Sequence, residues 1–274
     1  MRKFQALLIC AVVAALPQAV TAAPQNADQT SCFDDSGDTA IAACSRAINS
    51  RRHKGETLAR LYGARAYEYK GKNDLDRALA DYNEAIRIFP NIIENLDSRA
   101  TLHVQKGNYN AAIADYTAAL KLKNSGYAAV NKADAHLRLR EYDQALANYR
   151  RGSNLDAKDP TDFERRCFAR AVVGDARLAL ADCEESLRRR PDHGFTIGTR
   201  GLVYLKLGRF DEAISDYDKA LARVKDVNGL AFEQYGRGLA RMNKGDAAGG
   251  RADMDAVRKD WPEIGEVFAR FNLQ

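Results

Sequence analysis

The chain holds no apolar run long enough to span a bilayer, which takes about 20 residues, since even the run from Ala6 to Leu16 has only 11. It also lacks a CxxC pair, an HExxH, a GxSxG and a phosphate-binding GxxxxGK[ST] string. Its four histidines, His53, His103, His136 and His193, keep no metal-ligand spacing. Charge of one sign is scarce, because a net charge of +5 over 274 residues forms no basic stripe. These absences argue against stable membrane insertion, a reactive dithiol, a zinc or serine hydrolase, a nucleotide-binding enzyme and a nucleic-acid binder. The basic runs that do occur, Arg150–Arg151 and Arg188–Arg190, fall at expected helix ends, where cations complement the helix dipole. Carboxylates such as Asp34, Asp35 and Asp38, or Glu184 and Glu185, form no recognisable catalytic pair. The expectation is a protein that is not an enzyme and has no cofactor, catalytic residue or metal site.

What is present begins with an export-like start. Arg2 and Lys3 precede an apolar run from Ala6 to Leu16, followed by Pro17 and the small-residue site Val20-Thr21-Ala22. This reads as a signal peptide, residues 1–22, and as a periplasmic or secreted destination. Ile9 stands where a lipoprotein signal requires a small residue, which discounts lipid attachment at Cys10. Residues 23–31 carry no apolar period and read as a flexible leader. Cleavage after Ala22 leaves Cys32, Cys44, Cys167 and Cys183, an even number bound for an oxidising compartment. Three pairings are open. Cys32–Cys44 and Cys167–Cys183 are favoured because each pair is close in sequence; buried free thiols are the other reading.

The rest of the chain repeats one fragment. YLKLGRFDEAISDYDKA at Tyr204–Ala220 recurs as VQKGNYNAAIADYTAAL at Val104–Leu120 and more loosely from Arg138 to Gly152. The positions Tyr82, Tyr116, Tyr149, Cys183, Tyr217 and Met254 follow at steps of 34, 33, 34, 34 and 37 residues. Within the fragment, Ala112, Tyr116 and Ala119, like Ala213, Tyr217 and Ala220, lie four and three residues apart and share one helical face. A small residue recurs seven positions before the turn, as Ala64, Ala100, Ala133, Cys167, Gly201 and Gly238, and Pro90, Pro191 and Pro262 close units. Arg140 takes the place of one turn glycine, and two residues look inserted between Gly71 and Ala78.

These offsets resemble the tetratricopeptide repeat (TPR) family, and the resemblance covers nearly everything from Asp38 onward. It implies an all-α fold, a right-handed α-solenoid of TPR helical hairpins over residues 32–274. A capping helix is expected at about 39–50, six hairpins at about 56–262 and a terminal helix at about 263–271. That last helix offers Ile264, Val267, Phe268 and Phe271 at helical spacing. Cys167 and Cys183 then face the seam of one hairpin, about one helical turn out of axial register. His103 and His136 fall on equivalent sites of adjacent repeats and are expected to be ordinary structural histidines.

In this family the first helices line a concave groove that takes an extended peptide or a partner's helix. Carried over by position, the groove comprises Asn131, Arg165, Phe168, Phe195, Leu202, Phe232, Tyr235, Leu239 and Met242, apolar and aromatic toward the C-terminus. Whether the apolar members face the groove or fill inter-repeat core stays open. Asn131 and Arg165 match two positions of the family's two-carboxylate clamp, whereas Asp97, Thr101 and Thr161 depart from it. An aspartate at 97 opposes a terminal carboxylate. The resemblance therefore implies a non-catalytic scaffold binding a protein or peptide partner, in cell-envelope assembly or secretion. The alternative is a carrier of a lipid or glycan fragment in the same groove. Oligomeric state is not readable.

Overall fold

The computed structural model describes residues 26–223 and 231–273. The expected signal peptide, residues 1–22, with Cys10, and the start of the leader lie outside the described residues. Every regular element among the described residues is an α-helix. Helices α1 (Ala27–Asp34) and α2 (Gly37–Asn49) precede α3 (Gly55–Gly71) and α4 (Leu75–Ile88). Then follow α5 (Ile93–Gln105), α6 (Tyr109–Leu122), α7 (Gly126–Arg138), α8 (Tyr142–Gly152), α9 (Pro160–Val173) and α10 (Ala176–Arg189). Helices α11 (Gly194–Lys206), α12 (Phe210–Arg223), α13 (Ala231–Lys244), α14 (Ala247–Arg258) and α15 (Ile264–Arg270) complete the chain. From α3 to α14 they pair as consecutive antiparallel hairpins, and the whole is an α-solenoid.

One local device makes each hairpin. The first helix ends on a residue with positive φ, at Asn73, Gly107, Arg140, Gly174, Gly208 and Gly245. The next N–H donates back five residues, from Asp74 to Tyr69 O, Asn108 to His103 O, Glu141 to His136 O, Asp175 to Arg170 O, Arg209 to Tyr204 O and Asp246 to Arg241 O. This is the Schellman closure, which satisfies carbonyls that the helix end leaves free. It corrects the expected insertion in the first hairpin. Asn73, not Gly71, holds the left-handed position, since asparagine also tolerates it. Ala66, seven residues earlier and fully buried, is then the small seam residue, whereas Ala64 is half-exposed. The two extra residues vanish.

The expected leader is corrected as well. Residues 27–34 form α1, which packs on α2. The segment has almost no apolar period, and a single link replaces one: Cys32, 3% exposed, is bonded to Cys44 with Cα atoms 4.6 Å apart. Asp28 adds an exposed ion pair to Arg46 at 2.8 Å.

The seams are built from the repeated small and aromatic residues. Tyr82, Tyr116, Tyr149 and Tyr217 are among the largest fully buried side chains, each beside fully buried alanines. At Gly201 an added Cβ would stand 3.0 Å from the Tyr217 ring, so that seam has no room for a side chain. In the preceding hairpin the corresponding pair is Cys167 and Cys183, disulfide-bonded with Cα atoms 5.4 Å apart. A cross-link stands where the next hairpin presses a ring on a glycine.

A second periodic feature ties the helices of a hairpin. Arg65–Asp81, Arg99–Asp115, Arg166–Asp182, Arg200–Asp216 and Arg237–Asp253, each 16 residues apart, form two-bond forks with N to O distances of 2.6–3.0 Å. The aspartates are nearly buried, and a planar guanidinium matches both carboxylate oxygens at once. The α7–α8 hairpin has Lys132 and Asn148 at these places.

After α14 the chain folds back on itself. Ile264, Val267, Phe268, Phe271 and Leu273 are 0–3% exposed and join one core cluster with residues of α7 through α13. Phe271 packs edge-on against Tyr149 at 5.9 Å, Arg270 lies 4.9 Å over the Tyr142 ring, and Glu263 meets Arg140 at 2.9 Å. The terminal helix thus reaches the third hairpin.

Candidate functional site

The first helices bring an aromatic row together. Phe168 on α9 stands 5.5 Å from Tyr149, 5.8 Å from Phe195 on α11 and 6.4 Å from Phe232 on α13. Phe232 continues the row to Trp261 at 5.7 Å and Phe268 at 5.0 Å. Phe195 and Phe232 hold equivalent places early in their first helices, whereas Phe168 stands two turns further along α9, at the place that Leu202 and Leu239 take in the next two hairpins. Aromatic pairs at 4.5–7 Å stabilise by about 0.5–1.5 kcal/mol beyond area burial.

Between these rings lies a cavity of about 290 Å³. Phe168, Phe195, Leu202 and Phe232 line it, with Leu137, Val104 and Trp261, so four of the nine residues placed in the groove from sequence share one space. The other five do not line it. Tyr235 is 3% exposed, covered by Phe268 at 4.8 Å, and its hydroxyl accepts from Arg258 Nη2 at 3.1 Å. Leu239 is half-buried against the same core. Met242 is 38% exposed and lies beside Gly250 on α14, at a hairpin seam. Asn131 is half-buried on α7. Arg165 borders the space from outside, its guanidinium 5.6 Å from the centres of Tyr127 and Phe195 and 3.9 Å from Asp134 Oδ2.

Five polar side chains touch the cavity: Asp134, Arg138, Thr199, Tyr217 and Glu233. Asp134 accepts the Tyr149 hydroxyl at 2.5 Å, and burial raises its carboxyl above the ordinary range, with Arg165 pulling the other way. Arg138 stacks over Trp261 at 5.8 Å. Glu233, 8% exposed, presses its carboxyl against Gly198, where a Cβ would stand 2.7 Å from Oε1. Burial pushes that carboxyl up to about 7. Among the described residues its Oε2 has no hydrogen-bond partner, nor does the hydroxyl of Tyr217, whose ionisation burial drives far upward, aided by the nearby Glu233 charge.

Glu233, Trp261 and Tyr217 escaped sequence reasoning as site residues. A glutamate one place from Phe232 in an apolar stretch was the only signal for the first. Elsewhere, His136 Nδ1 meets Glu141 Oε2 at 2.6 Å, while the buried Nδ1 of His103 has no partner among the described residues and its ring is held below the ordinary value by burial. Asp97, at the place where the carboxylate clamp has a cation, is pushed up to about 6 by burial and then by Glu94 and Asp115.

Models of the tetratricopeptide repeat match residues 59–92, 98–160 and 198–224. The chain is similar to the Hsp70-Hsp90 organising protein of Plasmodium falciparum, 26% identical over an alignment 170 residues long that covers 57% of this chain and 28% of that one. It spans less than a third of the two Hsp70–Hsp90 organising proteins it matches. Among solved structures, Cut9 with Hcn1 from the APC/C gives a TM-score of 0.56 at 16% identity, over 85% of this chain and 48% of that one. PilW, a type IV pilus biogenesis factor, gives 0.51 at 17% identity, over 75% and 94%. At such identities the structures share a fold.

Proposed function

Because the chain is a tetratricopeptide repeat protein, we propose that it works as an exported, non-catalytic scaffold that seats a protein or peptide partner on its first helices. The observation that carries the reading is the aromatic cavity where α7, α9, α11 and α13 converge. It leaves apolar rings facing a space that no side chain of the described residues fills. A matched relative is named for organising two protein partners, which supports protein binding in kind. Chaperone C-termini are not the proposed partners. Asp97, Thr101 and Thr161 stand at clamp positions, and Asp97 adds acidity where a carboxylate would sit.

Export and a role in envelope assembly or secretion are supported by the signal-like first 22 residues and by two disulfides, which persist in oxidising compartments. A second reading, a carrier of a small apolar envelope ligand, is favoured by the cavity's mainly apolar lining. Crosslinking the tagged protein in its native cells, beside a folded Phe195→Asp control, separates the two. A protein captured by wild type and lost in the control supports the scaffold. Lipid extract raising the melting temperature, with no protein dependent on Phe195, favours the carrier.

A further inference from the structure

Among the described residues, two buried polar atoms without partners belong to side chains that line the same cavity from different helices. Glu233 Oε2 comes from α13 and the Tyr217 hydroxyl from α12. Leaving a buried polar group unpaired is costly, and more so for a charged one, so such atoms point to a missing partner. Both can accept a hydrogen bond. The walls around them are Phe168, Phe195, Phe232 and Leu202, with Trp261 at the end of the row. Of the charged residues described along the lining, Asp134 has Arg138 and Arg165 nearby, which leaves Glu233 as the acid without a cation beside it, anionic once pH passes about 7 or a bound cation displaces its proton.

We propose, building on the groove reading above, that this cavity receives the lysine side chain of a bound peptide, its ammonium donating to Glu233 Oε2 and to the Tyr217 hydroxyl. The aliphatic stem lies along the phenylalanines, and the ring faces attract the cation as well. Charge-assisted bonds of this kind are about twice as strong as neutral ones. Arginine fits less well. Its fork seeks two parallel carboxylate oxygens, and Glu233 Oε1 is turned against Gly198, leaving one oxygen free beside a phenol. That arrangement suits a compact point charge. The cavity, about 290 Å³, lies at the bottom of the range of roughly 300–1,000 Å³ for drug-sized molecules and fits a side chain rather than a large ligand.

Trp261 is the single tryptophan of the chain and lines the cavity, so its fluorescence reports on occupancy. The test titrates three acetylated, amidated pentapeptide libraries into the full mature chain. The central residue is lysine, norleucine or Nε-acetyl-lysine, and the flanking positions are mixed. n-Pentylamine serves as the free-amine probe. The expected result is that the lysine library binds at least 10-fold tighter than the other two. Glu233→Gln, which keeps shape and removes charge, should erase that preference, and circular dichroism verifies its fold. Equal binding of lysine and norleucine libraries, or a preference that survives Glu233→Gln, would overturn the lysine assignment and leave the groove reading standing. Response to pentylamine without response to any peptide would overturn both in favour of a free amine. No response to any probe would likewise overturn both.

Discussion

The ring of Phe268 stands 4.8 Å from that of Tyr235, so the terminal helix covers a residue that repeat position alone assigns to the open groove. Phe268 is fully buried, and α15 also reaches Tyr149 through Phe271. Phe268→Ala should cost about 3–5 kcal/mol, the usual loss for a buried phenylalanine. Because a repeat array transmits packing only between touching units, amide exchange should rise in α13 to α15 and in α7 and α8 while α3 and α4 stay protected. Uniform loss across the chain would mean that α15 does not bridge the repeats in this way.

The Cys167–Cys183 bridge occupies the seam where the next hairpin sets Gly201 against Tyr217. A closed loop of this length stabilises by about 3 kcal/mol in the chain-entropy model. Cys167→Ser with Cys183→Ser should lower stability by about that amount in urea melts. Cys167→Gly with Cys183→Tyr should recover part of it by copying the neighbouring seam. A reduced wild type as stable as the oxidised one would show that the bridge contributes nothing.

The hairpins were legible because Ala112, Tyr116 and Ala119 and their equivalents keep a helical face, and burial of that face needs no distant information. The register of the first hairpin was not. Taking glycine as the marker selected Gly71, whereas backbone handedness selects Asn73. The Arg–Asp forks were also on view as an aspartate or asparagine just before each recurring Tyr82, Tyr116, Tyr149, Cys183, Tyr217 and Met254. Their partners sit 16 residues upstream, across the turn, so the pairing emerges once the turn is built. Phe168, Phe195 and Phe232 followed from repeat position. Trp261 enters the same space, and α15 packs beside it on Phe232, only because the solenoid curves enough for this segment to meet α7 and α8, and curvature accumulates from small rotations that no single repeat displays.

Glu233 ties stability to pH. Its carboxyl is pushed from an ordinary 4.5 up to about 7 by burial, so the folded state holds a proton that the unfolded state releases first. The stabilisation is therefore complete below about 4.5 and declines as pH rises through about 7, by roughly 3 kcal/mol in all. Asp97, pushed up to about 6, acts in the same sense. Glu233→Gln stays neutral throughout, so it should match wild type near pH 4 and exceed it near pH 8. Urea melts at the two pH values check this, and a constant difference would show that burial does not hold Glu233 protonated.

The α7–α8 hairpin lacks the fork that its neighbours carry. Where Arg166 meets Asp182 and Arg200 meets Asp216, it places Lys132 and Asn148, and Asn148 turns back to donate to Gln144 O at 2.8 Å. Burial lowers the Lys132 ammonium, with Arg151 adding to the effect, and Asn148 offers no carboxylate to oppose that shift. Lys132→Arg alone adds a wider cation without a carboxylate and should gain nothing. Asn148→Asp alone offers Lys132 one acceptor in place of a fork. Together they restore the geometry of the other hairpins, and residues that meet in this way typically couple by about 0.5–3 kcal/mol. A double-mutant cycle in urea should return at least about 1 kcal/mol of favourable coupling. Additivity within about 0.5 kcal/mol would show that the forks elsewhere record helix geometry without stabilising it, as holds for many solvent-screened ion pairs.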